Sequence, residues 1–222
     1  MMDTFALRVD AAAREVTPHE AVIPSRAAAI LRDWRARGVQ DTPVMLFESG
    51  GRLIVADGHH RLEAARRAAA ELGRAVTIAA AVRPIGEIRP AHKVIRSAPD
   101  GWIERCRARL RVGQRSLVLR ADGSGEEAAR LVWDAAELAL EGVVWEIEGD
   151  ADAAVDAVAG GAVAAILVPA LTLAEVLAAA ESGALLPPRS TNFHPKLDRL
   201  DVAFPLFAEL LIPDSKPRPR RT

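Results

Sequence analysis

The sequence predicts a mixed fold, α/β or α+β, and three observations carry that prediction. Short apolar runs of strand length, such as Val76–Val82 and Ala162–Val168, alternate with stretches whose apolar residues recur every three or four positions. Glycines stand where the helical stretches stop, at Gly38, Gly73 and Gly183. Half of the 222 residues are hydrophobic, yet 4% are aromatic and Tyr is absent, so the core has to be built mainly from Ala, Val, Leu and Ile.

In chain order, Thr4–Val9 has strand character and a polar connection ends at Pro18-His19-Glu20. Ser25 is the expected N-cap of a helix marked by Ala27, Ile30, Leu31 and Trp34, with Trp34 expected in the core. Pro43–Phe47 and Leu53–Ala56 flank the turn signal Ser49-Gly50-Gly51 and predict a hairpin. From His60, the residues Leu62, Ala65, Ala69 and Leu72 space as a helix up to Gly73, and the strand Val76–Val82 follows.

Beyond a Pro99-Asp100-Gly101 turn, Trp102, Ile103, Cys106 and Leu110 predict a helix, with Cys106 an inert buried thiol. Ser116–Arg120 is strand-like. Asp122-Gly123-Ser124-Gly125 lacks the lysine of a phosphate-binding loop and reads as a plain turn. A helix over Glu126–Glu141, a strand over Val143–Ile147, a helix over Asp150–Ala159 and the buried strand Ala162–Val168 come next. Thr172 with Glu175 forms a capping box that opens a further helix. Leu185–Lys196 is irregular and Asp201–Ile212 mostly extended. This divides the chain into a first lobe over residues 1–84, a second α/β lobe over 85–212, and a Pro- and Arg-rich tail over 213–222 expected to be disordered.

Composition narrows the partners. With 29 basic and 30 acidic residues the net charge is −1, without the basic excess that nucleic-acid backbone binding needs. No basic helix-turn-helix pattern follows residue 100. A single cysteine excludes an intramolecular disulfide framework and a cysteine zinc cage. Arg8, Asp10 and Arg14 interrupt any N-terminal signal pattern, and no apolar stretch reaches the roughly 18 residues of a membrane span. A cytoplasmic protein that meets small molecules, with neither membrane nor nucleic acid as partner, is the expectation. The oligomeric state is not encoded legibly.

One segment concentrates chemistry. The strand Leu53–Ala56 runs into Asp57-Gly58-His59-His60-Arg61, and a helix follows at once. Glycine at such a junction lets the backbone approach a ligand, and the free N–H groups of the helix start favour negative charge. Arg61 can hold a phosphate through two parallel hydrogen bonds. Asp57 can orient an imidazole or hold Mg²⁺, and His59 or His60 can donate to a phosphate oxygen. The plainer alternative is an Asp-Gly turn followed by two surface histidines.

The stretch from Val16 to Val82, with Asp57–Arg61 running into a Leu-x-Ala-Ala helix, resembles the ParB/sulfiredoxin fold, and within it the free serine kinases and their relatives. Their Asp-Gly-(any)-His-Arg segment binds nucleotide phosphates. His19-Glu20 is similar to the family's His-Glu pair, which implies that Glu20 is the catalytic base. Ile88-Arg89-Pro90-Ala91-His92-Lys93 is similar to the family's Pro-x-His-Arg segment, with Lys93 in place of arginine. Glu181–Thr191 resembles the Gly-x-x-x-Pro-Pro-Lys-Ser-Thr ending, and Phe193 stands where those kinases have a histidine. Residues 110–150 have no counterpart in the resemblance. A sulfiredoxin's reactive cysteine is replaced by His59, which argues against that chemistry.

The resemblance implies a kinase that moves a phosphoryl group from ATP or ADP, with Mg²⁺, to the hydroxyl of serine or a similar metabolite. Glu20 and Asp57 are the catalytic candidates, and Gly58, His59, His60, Arg61, His92 and Lys93 the nucleotide candidates. Arg26, Thr191, His194 and Lys196 are the acceptor candidates, on a helix start and an irregular Pro-flanked loop. For Arg26, His92, Lys93 and the loop, solvated or loop-capping roles are equally open. The competing expectation is a ParB-like nucleotide-binding or nucleotide-hydrolysing sensor, or a non-catalytic binding module.

Overall fold

The computed structural model describes residues 4–10, 16–110, 118–121, 123–194 and 204–205. Their contacts form two compact units. One is built from Pro24–Arg83 with the strands that precede it and residues 204–205; the other joins Thr17–Ile23 to Pro84–Lys196.

In the first unit the elements are β1 (Thr4–Val9), β2 (Val16–Thr17), α1 (Pro24–Arg37), β3 (Val39–Gln40), β4 (Val44–Ser49), β5 (Arg52–Asp57), α2 (His59–Leu72) and β6 (Val76–Val82). The sheet order is β1-β6-β4-β5-β2. The β4–β5 hairpin is antiparallel, and α2 carries the chain across to β6, which lies parallel to β4. Val44, Leu46 and Val55 from the sheet, Leu31 and Trp34 from α1, and Leu62, Ala65 and Ala69 from α2 share one core. Trp34 is buried there, as its helical spacing predicts.

Gln40 is a polar member of this interior. Its amide donates to the Ala79 carbonyl at 3.1 Å and accepts from the Ala79 N–H at 2.8 Å, which completes β6 in place of a neighbouring strand. Helix α1 begins at Pro24, so Ser25 lies inside the first turn rather than at the cap. Proline suits that start, because its missing N–H would be unsatisfied there anyway.

The second unit contains β7 (Glu87–Arg89), β8 (His92–Ser97), α3 (Trp102–Leu110), β9 (Val118–Arg120), α4 (Gly125–Ala135), β10 (Val144–Glu148), α5 (Ala151–Ala159), β11 (Ala164–Leu167), α6 (Leu173–Ser182) and β12 (Asn192–His194). Its sheet runs β10-β8-β11-β9. Side chains alternate between two faces. Ile95, Ala164 and Ile166 pack with Trp102, Cys106, Ala128 and Val132 of α3 and α4, while Val94, Ala165 and Leu167 pack with Ala154 of α5. A last short strand, β13 (Phe204–Pro205), pairs with β3 in the first unit.

Three sequence expectations are corrected here, and a stretch given no element by its local pattern gains two. Residues 84–98 contain β7 and the interior strand β8, whose apolar run is only Val94-Ile95 and so too short to show a period. The helix expected to reach Glu141 ends at Ala135; Glu137 turns left-handed at φ 50°, which sends Leu138 into the core. Ser124 is more than a turn residue, since it caps α4 in a capping box with Glu127. And α2 starts one residue earlier, at His59. The expected boundary of the tail, Lys196 and all of the expected extended stretch Asp201–Ile212 except residues 204–205 lie outside the described residues.

Candidate active site

In the first unit, β5 ends at Asp57 and α2 begins at His59, with Gly58 between them at φ 102°. That left-handed conformation is open to glycine and strained for other residues. A Cβ on Gly58 would come within 2.9 Å of Arg61 Nε and 3.2 Å of the Val44 backbone. The missing side chain therefore makes room for the guanidinium. Arg61 donates to Asp57 Oδ2 at 3.3 Å and to the Thr42 carbonyl at 3.4 Å. No side chain caps the N-terminus of α2. The first-turn N–H groups and Arg61 thus bring positive potential to this turn, beside Asp57, which is 54% exposed.

His59 is buried and His60 half-buried. Arg26 is exposed on the first turn of α1.

In the second unit, a separate cluster forms around Glu20. The segment His19–Ala21 is held as a one-rung strand: Leu186 N donates to the His19 carbonyl at 2.8 Å and Ala21 N to the Leu186 carbonyl at 2.7 Å. This pairing groups Thr17–Ile23 with the second unit and carries Glu20 into an interior where it is 5% exposed. Arg189 N–H donates to Glu20 Oε2 at 2.9 Å. Thr191 donates its N–H to Oε1 at 2.5 Å and its hydroxyl to the same oxygen.

Because the Thr191 hydroxyl gives its proton to Glu20, its oxygen is left as an acceptor, and His19 Nε2–H, 3.1 Å away, is the donor to it. The His19 ring meets Phe193 edge-on at 5.8 Å.

Burial pushes Glu20 up to about 6, against the opposing pull of the Thr191 and Arg189 hydrogen bonds and the Lys93 charge. A carboxylate with its proton affinity in that range is suited to take up a proton near neutrality. Lys93 lies on β8 and is equally buried. Its ammonium donates to the Arg189 carbonyl at 2.7 Å and sits 5.2 Å from the Trp145 ring centroid. Burial lowers Lys93 to about 7, opposed by the charge of Glu20 and reinforced by that of Arg189.

Its neighbour His92 is turned to structure: Nδ1 accepts from Val168 N–H at 3.1 Å inside the sheet. His194 closes β12 and is half-buried.

The sequence-predicted residues therefore fall into two groups. Asp57, Gly58, His59, His60 and Arg61 come together at the start of α2. Glu20, Lys93 and Thr191 come together in the second unit. His19, Arg189 and Trp145 complete the second group and were not among the candidates. Trp145 lies in the stretch without counterparts, and the contribution of Arg189 is mainly its peptide, which no residue type announces.

No protein-family model and no curated protein matches this sequence. Solved structures do match along nearly the whole chain. Free serine kinase in complex with AMP superposes with a TM-score of 0.64 at 18% identity, covering 91% of this chain and 92% of that one. The chain shares the fold of free serine kinase. A glutamate-to-alanine variant of that kinase in complex with ADP gives a TM-score of 0.61 at 16% identity, over 89% and 92% of the two chains. A conserved hypothetical protein from Pyrococcus furiosus gives 0.60 at 17%, over 89% and 95%. Identities this low speak for the fold alone. Among the described residues no helix is long and apolar enough to cross a membrane, and no group of three or more His, Cys, Asp or Glu could hold a metal ion.

Proposed function

We propose that this protein is a nucleotide-dependent phosphotransferase acting on the hydroxyl of free serine or a similar small metabolite. The observation that carries the reading is the buried Glu20 carboxylate, held by Arg189 and Thr191 in a shell of hydrogen bonds and raised to about 6. A structural carboxylate is better placed on the surface, where it costs no desolvation.

In this reading the α2 start and Arg61 bind the nucleotide phosphates, drawing on the uncapped N–H groups and the space left by Gly58. Glu20 accepts the proton of the acceptor hydroxyl as the phosphoryl group transfers in line. The acceptor's hydroxyl reaches Glu20 by displacing the hydroxyl of Thr191, and His19 then holds the freed Thr191 oxygen. Mg²⁺ would be carried mostly by nucleotide oxygens, with the exposed Asp57 as the protein carboxylate available to it, and would neutralise phosphate charge. Solved structures of the same fold hold AMP and ADP, which supports a nucleotide as donor.

One observation favours a second reading, a nucleotide-binding module without transfer. Both oxygens of Glu20 already accept hydrogen bonds within the chain. The two are separated by incubating the protein with ATP or ADP, Mg²⁺ and a panel of hydroxylated amino acids. Nucleotide-dependent appearance of a phosphorylated acceptor supports the phosphotransferase. Nucleotide bound with every acceptor left unmodified supports the module.

A further inference from the structure

Lys93 stands at the position where the resemblance places a nucleotide contact, yet its surroundings give it other work. Strand alternation puts it on the same face of β8 as the core residue Ile95. Its ammonium is buried, donates to the Arg189 carbonyl at 2.7 Å and lies over Trp145.

Arg189 is a non-glycine residue at φ 58°, a conformation that persists only where surroundings impose it. Three contacts do so. Its carbonyl is held by Lys93, its N–H by Glu20, and its guanidinium lies 4.5 Å from the Trp145 centroid while donating to the Trp145 carbonyl at 3.5 Å. The same peptide turn places Thr191 for its two bonds to Glu20. A hydrogen-bonded chain thus runs from Lys93 through one residue's backbone to the carboxylate.

We propose that Lys93 is a positioning residue for Glu20, acting through the Arg189 backbone, and not a ligand of the nucleotide. The cation holds Arg189 left-handed, so that Arg189 N–H and Thr191 converge on Glu20, and it supplies the nearby positive charge that keeps this carboxylate ionisable. The groups facing Glu20 are His19, whose Nε2 is 4.0 Å from Oε1, together with Arg189, Thr191 and Lys93; those facing Lys93 are Glu20, Arg189 and Trp145. Lys93 lowers the proton affinity of Glu20, and Glu20 raises that of Lys93.

The kinetic part of the test rests on the phosphotransferase reading; the titration part does not. Glu20's carboxyl carbon is followed by NMR against pH in the wild type, Lys93→Met and Lys93→Arg, with steady-state kinetics alongside. Lys93→Met should raise the Glu20 midpoint by about one pH unit, the effect of removing a close opposite charge. It should lower kcat at pH 7 by about tenfold while leaving the nucleotide KM within about twofold, and Lys93→Arg should recover both.

An unmoved Glu20 midpoint in Lys93→Met overturns the proposal, and so does a raised nucleotide KM with kcat retained. If Lys93→Met does not fold, Lys93→Arg decides: a wild-type midpoint and KM support positioning, and a loss confined to nucleotide KM overturns it. If the wild type transfers no phosphoryl group, the titration still decides the role of Lys93, while the kinase reading falls separately.

Discussion

Thr191 donates both its backbone N–H and its side-chain hydroxyl to one carboxylate oxygen of Glu20, a residue 171 positions earlier in the chain. The pairing lets the two donors be separated by mutation. Thr191→Val keeps the N–H and removes the hydroxyl. Hydrogen bonds to charged groups contribute about 1.5–3 kcal/mol, so the Glu20 midpoint should climb above 6 by roughly one to two pH units. Thr191→Ser should bring it back. Carboxyl NMR titration of the three proteins checks this, and the acid limb of any activity profile should move with it.

The Glu20–Lys93 pair gives stability a definite pH dependence. Glu20's folded value, about 6, lies above its ordinary 4.5, so between these the folded state holds the extra proton and stability falls as pH rises. Lys93 lies at about 7 against an ordinary 10.5, so between these the unfolded state holds the extra proton and stability rises with pH. The pair's combined contribution is therefore least favourable between about 6 and 7. Denaturant melts across pH 4–11 should show that minimum, and Glu20→Gln should remove its acid side. A wild type with no such difference from the mutant contradicts the assignment.

Gly58→Ala tests the phosphate site. The new methyl would have to share space with Arg61 and the Val44 backbone at a left-handed φ. The expected cost is about 1–2 kcal/mol of stability. Nucleotide affinity should fall at least tenfold as Arg61 is displaced, about 1.4 kcal/mol in binding. Calorimetry on a variant shown to be folded measures both, and unchanged affinity would remove Gly58 and Arg61 from the phosphate-binding role.

Cys106 should be chemically quiet. It is buried on the core-facing side of α3, and burial raises its thiol to about 11, so little thiolate exists at neutral pH. Thiol reagents should label it at the rate of unfolding. Labelling within seconds in native buffer would contradict this.

What the sequence disclosed follows the physics of local signals. The hairpin, α2 and its Gly73 stop, β6 and the Thr172–Glu175 capping box were legible because each depends on neighbours within a few residues. Asp57–Arg61 stood out for the same reason, a glycine and a cationic cluster at a strand-to-helix junction. The second cluster was only half legible. Resemblance drew attention to Glu20, Lys93 and Thr191, but nothing local says that Leu186 pairs with His19–Ala21, or that Glu175 caps both its own helix and Glu126 N–H. Strand β8 was missed because polar and charged residues flank two buried apolar ones, although its His92 and Lys93 are themselves buried by tertiary partners. Arg189 was missed because its peptide, not its side-chain charge, binds Glu20.

The most direct test of the central claim is the rate of phosphoserine formation at saturating nucleotide and Mg²⁺, compared between wild type and Glu20→Gln. Loss of a general base predicts a fall on the order of a hundredfold or more, with nucleotide affinity retained in the mutant. Equal rates in the two proteins would contradict the role of Glu20. A wild type that binds nucleotide but phosphorylates neither serine nor any related hydroxylated metabolite would contradict the phosphotransferase itself.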